Sequence, residues 1–390
     1  MKYSPSMDFV VSLSIVNSFW EVVIISGFGE KRKRITEVES IRAIACLCVV
    51  LLHSIKYTVG FELSEESTLT DEVFLSIAGI LAFGTPTFVF ISELILARSY
   101  PLHLPDGFYW KRIKFILFPF ITCAVIYAVA DHYGNPTSIP TNIVVNLLGG
   151  YHGWFVLVVF QFYILHKITA KYLYKHRPIT IISVSLFVNI MYLGIFNLVT
   201  PKSTAFTDYF WDRGFWALCL GWVFYFFIAY YCGKNYEYFI QIIRKYQIWI
   251  YSSLPLTLAI ILFDNQSGIF GYGSKRMDMI PFTINIVLVL FLIFSRLSKQ
   301  PSFLLFVSKY SYGIYLVHLL CLMVINKTLG VLGINLGYGK MMVLFVSAVV
   351  TSIIIIKLVN IFSFGKYLVG ANGNLESRET GKRRKYPVNV

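Results

Sequence analysis

The sequence predicts an all-α polytopic integral membrane protein of about ten transmembrane helices, with the N- and C-termini both on the cytoplasmic side. Three observations carry this. The 390-residue chain is 57% hydrophobic, with a mean hydropathy of +0.67, too apolar for a water-soluble fold. Its apolar stretches mostly run for about 17–23 residues, long enough to cross about 30 Å of hydrocarbon, where a buried core helix runs about 10–14. Of the Lys and Arg residues from 31 onward that lie between the spans or at their ends, 24 fall on the side of the N-terminus and 7 on the other. That bias sets the orientation.

The spans are read at 39–59, 74–97, 114–131, 152–168, 179–200, 215–233, 248–263, 279–297, 308–326 and 340–362. An even number returns the chain to its starting side. Residues 1–35 form an N-terminal cytoplasmic or interfacial segment. Within it 7–28 is apolar but carries Asp8, Asn17 and Glu21, so it reads as a surface helix or as sequence upstream of the true start. The first outer loop, FELSEESTLTDEV, has no Lys or Arg. Residues 36–365 form one transmembrane domain, and 366–390 a basic, disordered cytoplasmic tail near anionic lipid.

The formal net charge of +14 reflects topology, because no basic soluble domain exists to hold a nucleic acid. The six cysteines lie in or beside apolar spans without a CxxC pair, so neither a disulfide framework nor a metal site is expected.

Candidate chemistry starts in the first span, IRAIACLCVVLLHSI. Arg42 and His53 are eleven residues apart, roughly three turns, which places them on nearly the same helix face about 16 Å apart along the axis. A charge inside the bilayer costs about 2.5–3.5 kcal/mol, so such residues face protein or a cavity. A neutral imidazole is the best general base near physiological pH. The plain alternative is a structural pair, with Arg42 reaching the headgroups or pairing with Glu39. In the second span, FGTPTFVFISELILA, Gly84 and Pro86 loosen the helix, and Ser92 and Glu93 lie towards its inner end. Glu93 there either lines the site or pairs with Arg98. Lys111, Arg112 and Lys114 precede the third span beside Tyr109 and Trp110; they read as a positive-inside anchor or as a phosphate site. The fourth span opens GGYHGW, placing His152 and Trp154 at the outer interface, where Trp154 either belongs to the aromatic belt or stacks on a sugar. In the ninth span, SKYSYGIYLVHLLCL, Ser311, Tyr315 and His318 share a face, with His318 near the midplane.

This order of motifs resembles the membrane-bound acyltransferase 3 family. The marks are Arg42-x10-His53, FVFIS ending at Ser92, KRIKFILFP with Pro119, His152-Gly-Trp154-Phe155, and Ser311-Tyr-Gly313-Ile-Tyr315-Leu-Val-His318, over roughly residues 36–365. The segments FGTPTFVFIS, RIKFILFPFI and LGWVFYFFIAYYCGKNYE look most like the staphylococcal-type polysaccharide intercellular adhesin branch. Two positions depart: Glu93 replaces the usual Gly after Ser92, and an Arg-x-x-Arg pair is reduced to Lys111-x-x-Lys114 with Arg112 alongside. The second weakens bidentate phosphate binding, because Lys is a point charge.

The resemblance implies an O-acyltransferase in a bacterial plasma membrane. It moves an acyl group from acyl-CoA (acetyl- or succinyl-CoA, a cosubstrate and not a tightly bound cofactor) to a hydroxyl of a cell-surface or lipid-linked polysaccharide. The branch points to O-succinylation of poly-N-acetylglucosamine. His53 is the expected base. Arg42 holds the donor or orients the first span. His318 orients its partner, stabilises an oxyanion or relays the acyl group. Lys111, Arg112 and Lys114 bind donor phosphates, with Ser92, Glu93, Ser311 and Tyr315 lining the site, and His152 and Trp154 guide the acceptor from outside. The expected partners are membrane lipid, the glycan acceptor and a glycan synthase. The alternative is a polysaccharide exporter or flippase, for which intramembrane ionisable residues serve equally well but the motif order has no reason.

Overall fold

The computed structural model describes residues 35–370 apart from 63–64, 213 and 271–272. The N-terminal segment as far as residue 34 and the tail from 371 lie outside the described residues. The elements are α1 (Glu37–Val59), α2 (Leu69–Leu81), α3 (Gly84–Ser99), α4 (Phe108–Arg112), α5 (Phe118–Asp131), α6 (Ile139–Val145), α7 (Phe155–Lys175) and α8 (Pro178–Leu198). They continue as α9 (Ala205–Asp212), α10 (Val223–Lys234), α11 (Tyr236–Lys245), α12 (Gln247–Ser267), α13 (Met279–Phe294), α14 (Ser302–Val331) and α15 (Lys340–Val359). Among the described residues all of this structure is helical.

Nine helical stretches among the described residues are long and apolar enough to cross a membrane. The tenth expected span, at 279–297, is α13. It is shorter, at 16 residues. Most of its length is buried against other helices, so it need not match the lipid thickness on its own.

Local signals account for several helix ends. Thr68 and Asp71 close a capping box at the start of α2, with reciprocal bonds of 3.2 and 2.8 Å. Pro178 opens α8, where a missing N–H costs nothing. The expected loosening at Gly84 and Pro86 is a short interruption at Ala82 and Phe83, whose backbone stays in the right-handed helical region. α2 stops at Leu81, and α3 restarts at Gly84 with Pro86 in its first turn, where no intrahelical N–H bond is lost.

α1 sits inside the bundle, packed on α14, α15, α2 and α3. This is why Arg42 and His53 face protein. Small residues set the closest crossings. A Cβ on Gly233 of α10 would lie 2.2 Å from the Leu94 carbonyl oxygen of α3, and one on Gly313 of α14 would lie 2.6 Å from Ile356 of α15. Membrane helices associate through such close approach. The tail boundary expected at 366 falls inside a packed segment: Tyr367 stacks on Phe115 at 5.5 Å, and Val369 is buried in the α14–α15 core.

Candidate functional site

Three histidines from distant parts of the sequence meet inside the bundle. His53 comes from α1, His318 from α14, and His152 from the single 3-10 turn His152–Trp154 that leads into α7. The rings of His53 and His318 are 5.1 Å apart, and those of His152 and His318 5.4 Å. His318 is 0% exposed, whereas His53 and His152 are half-buried.

The main chain assigns the protons. A carbonyl only accepts, so a ring nitrogen facing one must carry hydrogen. His53 Nδ1 donates to the Val49 oxygen at 2.8 Å. His318 Nδ1 donates to the oxygens of Ile314 and Tyr315 at 3.0 and 2.8 Å. His152 Nε2 donates to the oxygens of Tyr315 and Leu316 at 3.0 and 3.1 Å. The lone pair of His318 is therefore on Nε2, which lies 3.3 Å from His53 Nδ1. In a neutral imidazole that leaves His53 Nε2 as its basic nitrogen. Among the described residues no group of three or more His, Cys, Asp or Glu is arranged to hold a metal ion.

Tyr315 joins the cluster, its hydroxyl donating to the His152 carbonyl at 2.5 Å. Ser311 does not. It is buried, its hydroxyl bonds the Ser308 oxygen of its own helix at 2.9 Å, and its carbonyl accepts from Cys46 of α1. Arg42 is half-buried on the same helix as His53 but about three turns away, so the two cannot act on one atom.

The basic trio lies before α5, far along the bundle from the histidines. Arg112 stacks over Phe108 and Tyr163 at 5.0 and 5.6 Å, and Lys114 lies over Trp110 at 5.0 Å. Lys111 is half-buried in the last turn of α4.

Three expectations are corrected. Glu93 does not pair with Arg98. Five residues apart on a helix, the two point about 140° from each other. Glu93 is instead 3% exposed and bonded to His166 Nδ1 at 2.7 Å, while His166 Nε2 donates to the Tyr100 oxygen at 2.9 Å. Arg98 pairs with Glu237 at 2.6 Å. Ser92, its neighbour on α3, is half-buried. Secondly, His152 turns into the bundle, its ring against those of His318 and Tyr127. Gly149, at φ +105°, admits a reversal, and the Cβ that Gly153 lacks would lie 2.2 Å from the Tyr151 ring, so the turn folds back on itself. Thirdly, Trp154 is only 8% exposed, stacked on Trp222 at 5.9 Å and edge-on to Trp216 at 5.4 Å, which leaves no open face for a sugar.

Sequence reasoning missed three features. His166 reads as the end of a span. Tyr127 of α5 is one aromatic among many, yet its ring meets His152 at 4.7 Å. Lys275 counts among the outer loop cations, yet it is 3% exposed, donates to the Phe215 carbonyl, and is boxed by Trp154, Phe215, Trp216 and Trp222 at 4.7–5.6 Å for three of the four rings and 5.9 Å for Trp216. Burial holds its ammonium well below the usual lysine range. Its neighbour Arg276 is buried too, bonded to Asp264 at 2.7 Å, to Asn265 at 2.6 Å and to Asp278.

The family model described as an acyltransferase domain matches residues 35–359. A Bacillus subtilis protein named as a membrane-bound acyltransferase, YfiQ, is 36% identical over 297 residues, 73% of this chain and 80% of that protein. Proteins of Staphylococcus aureus and Staphylococcus epidermidis named as poly-beta-1,6-N-acetyl-D-glucosamine export proteins are 25% and 26% identical over 72% and 74% of this chain and 81% of theirs. No solved structure matches. With the matched region spanning every helix that contributes a ring to the histidine cluster, the chain belongs to the acyltransferase 3 family, as a multi-pass acyltransferase of a bacterial membrane.

Proposed function

We propose that the protein moves an acyl group from a cytoplasmic acyl-CoA to a hydroxyl of a cell-surface or lipid-linked polysaccharide, with His53 as general base. The observation that carries this is the proton arrangement: His53 Nδ1–H is held by Val49 and faces the lone pair of His318, which leaves Nε2 to accept a proton. An alcohol is a weak nucleophile until a base removes its proton. In the step proposed, the glycan oxygen attacks the thioester carbonyl carbon while its proton passes to His53 Nε2. The carbon–sulfur bond then breaks, and the thiolate leaves with the proton that His53 returns. While His53 is charged, the His318 lone pair stabilises it across 3.3 Å. His318 is thus the orienting partner of the base.

Arg42 lies about 16 Å along α1 from the base, a separation that suits a donor with phosphates at the mouth and a thioester on a long flexible arm. In this reading Lys111, Arg112 and Lys114 offer further cations to the donor phosphates, and the aromatic stacking of Arg112 fixes its plane. The positive-inside count supports a cytoplasmic mouth for the donor. The acceptor favoured is poly-N-acetylglucosamine, delivered by a glycan synthase, because the staphylococcal relatives are named for that polymer. Acetyl- and succinyl-CoA both fit a donor of this class.

Their name also supports a second reading, export of the glycan with no covalent change. The test is acyl transfer by the purified protein in liposomes, using radiolabelled acyl-CoA and poly-N-acetylglucosamine. His53→Ala should insert normally and lose about 10²–10⁴-fold in turnover. Full turnover by that variant would overturn the base assignment.

A further inference from the structure

We infer that Tyr127 is a positioning residue: its hydroxyl, wedged into the backbone of α14 between Leu316 and Leu320, holds the turn that sets His152 and His318 against His53. This rests on the reading of His53 and His318 given above.

Tyr127 lies on α5 and is 5% exposed. Its hydroxyl accepts the Leu320 N–H at 2.7 Å and donates to the Leu316 oxygen at 3.2 Å. Those two groups are four residues apart, the donor and acceptor that an α-helix pairs with each other. The phenol thus ties the two ends of one rung of the helix together from outside.

The bridged turn is the one that carries the chemistry. A carbonyl oxygen has two lone pairs. Leu316 offers one to Tyr127 and the other to His152 Nε2 at 3.1 Å. Tyr315 divides its carbonyl between His152 at 3.0 Å and His318 Nδ1 at 2.8 Å. Two consecutive carbonyls of one turn therefore fix the tautomer and tilt of both histidines, and Tyr127 holds that turn at each end. Its ring also meets His152 edge-on at 4.7 Å, which braces the imidazole. Without the hydroxyl, Leu320 N–H and the Leu316 oxygen lose their common partner, and the turn whose carbonyls hold His152 and His318 loses its tie to α5.

Tyr127→Phe keeps the ring and removes the wedge. In the liposome assay we expect kcat to fall between about 10- and 100-fold, because small displacements of catalytic groups cost that much. KM for acyl-CoA and for glycan should stay within about twofold, and Tm should stay close to wild type. Tyr312→Phe is the control. It removes a hydroxyl bond of 2.6 Å from α14 to the Ile116 carbonyl in the turn before α5, a contact outside the histidine cluster, and should leave kcat unchanged. Wild-type kcat in Tyr127→Phe, with His53→Ala and His318→Ala inactive, would overturn the inference and leave the base assignment standing. An equal loss in Tyr312→Phe, or unfolding of Tyr127→Phe, would show a mere helix fastener and overturn it too. Full activity of His53→Ala would instead remove the reading underneath.

Discussion

The histidine cluster and the His166–Glu93 pair are both buried imidazoles, and hydrogen-bond arithmetic separates them. Each ring in the cluster commits one N–H to the main chain and keeps a lone pair directed elsewhere. His166 has both nitrogens engaged, one by Glu93 and one by the Tyr100 carbonyl, so a single proton shared with Glu93 satisfies the pair. Such a sealed arrangement stabilises the fold and has no capacity left for chemistry. Glu93→Ala should destabilise the protein by about 3–5 kcal/mol, since it strands a buried partner. Glu93→Gln should cost much less, because the amide N–H can donate to the unprotonated Nδ1 of His166 while Nε2–H keeps its bond to the Tyr100 oxygen. Thermal denaturation in detergent measures both. A wild-type Tm for Glu93→Ala, with weakened donor binding, would instead return Glu93 to the substrate site. At this scale the sequence revealed Arg42, His53 and His318, because ionisable residues stand out in an apolar run. The partners were illegible. The Glu93–His166 contact joins residues 73 positions apart, and the nearer Arg98 competed for Glu93 on paper.

At the scale of elements, two irregular segments do the positioning. One is the turn from Gly149 to Trp154, which folds inward on glycines and delivers His152. The other runs from Ser274 to Asp278, where every residue but Met277 is buried. Lys275 enters the aromatic box that holds Trp154, two residues from His152, so the segments brace each other. The depressed affinity of Lys275 for its proton has a testable sign. Between its lowered folded value and about 10.4 in the unfolded chain, unfolding takes up a proton, so stability rises with pH across that window and levels off above it. Lys275→Met lacks this contribution. The Tm of the wild type relative to that variant should climb from pH 7 to pH 10; a flat difference would show that the ammonium is retained on folding. Length and hydropathy located the spans because crossing lipid demands about 20 apolar residues. They were blind to these two segments, since a loop buried by protein has the composition of a loop in water. The break between α2 and α3 was half visible, as glycine and proline in one run.

Across the whole molecule, the bundle carries cations and aromatic rings towards one end and a proton acceptor in its interior, a gradient suited to an anionic donor that feeds an acyl group inward. α1 links the two, with Arg42 and His53 on one face. Fold and family were legible because five motifs recur in order over one hydrophobic framework. The inward turn of His152 was not, because it depends on long-range contacts with α5 and α14.

Transfer and export part company on one quantity, the ester content of the surface polysaccharide measured by mass spectrometry in cells with the wild-type chain, without it, and with His53→Ala. An acyltransferase leaves the polymer present in all three and its O-acyl esters only in the first. An unchanged ester fraction in whatever polymer reaches the surface, with the amount exported falling when the protein is absent, would contradict covalent transfer.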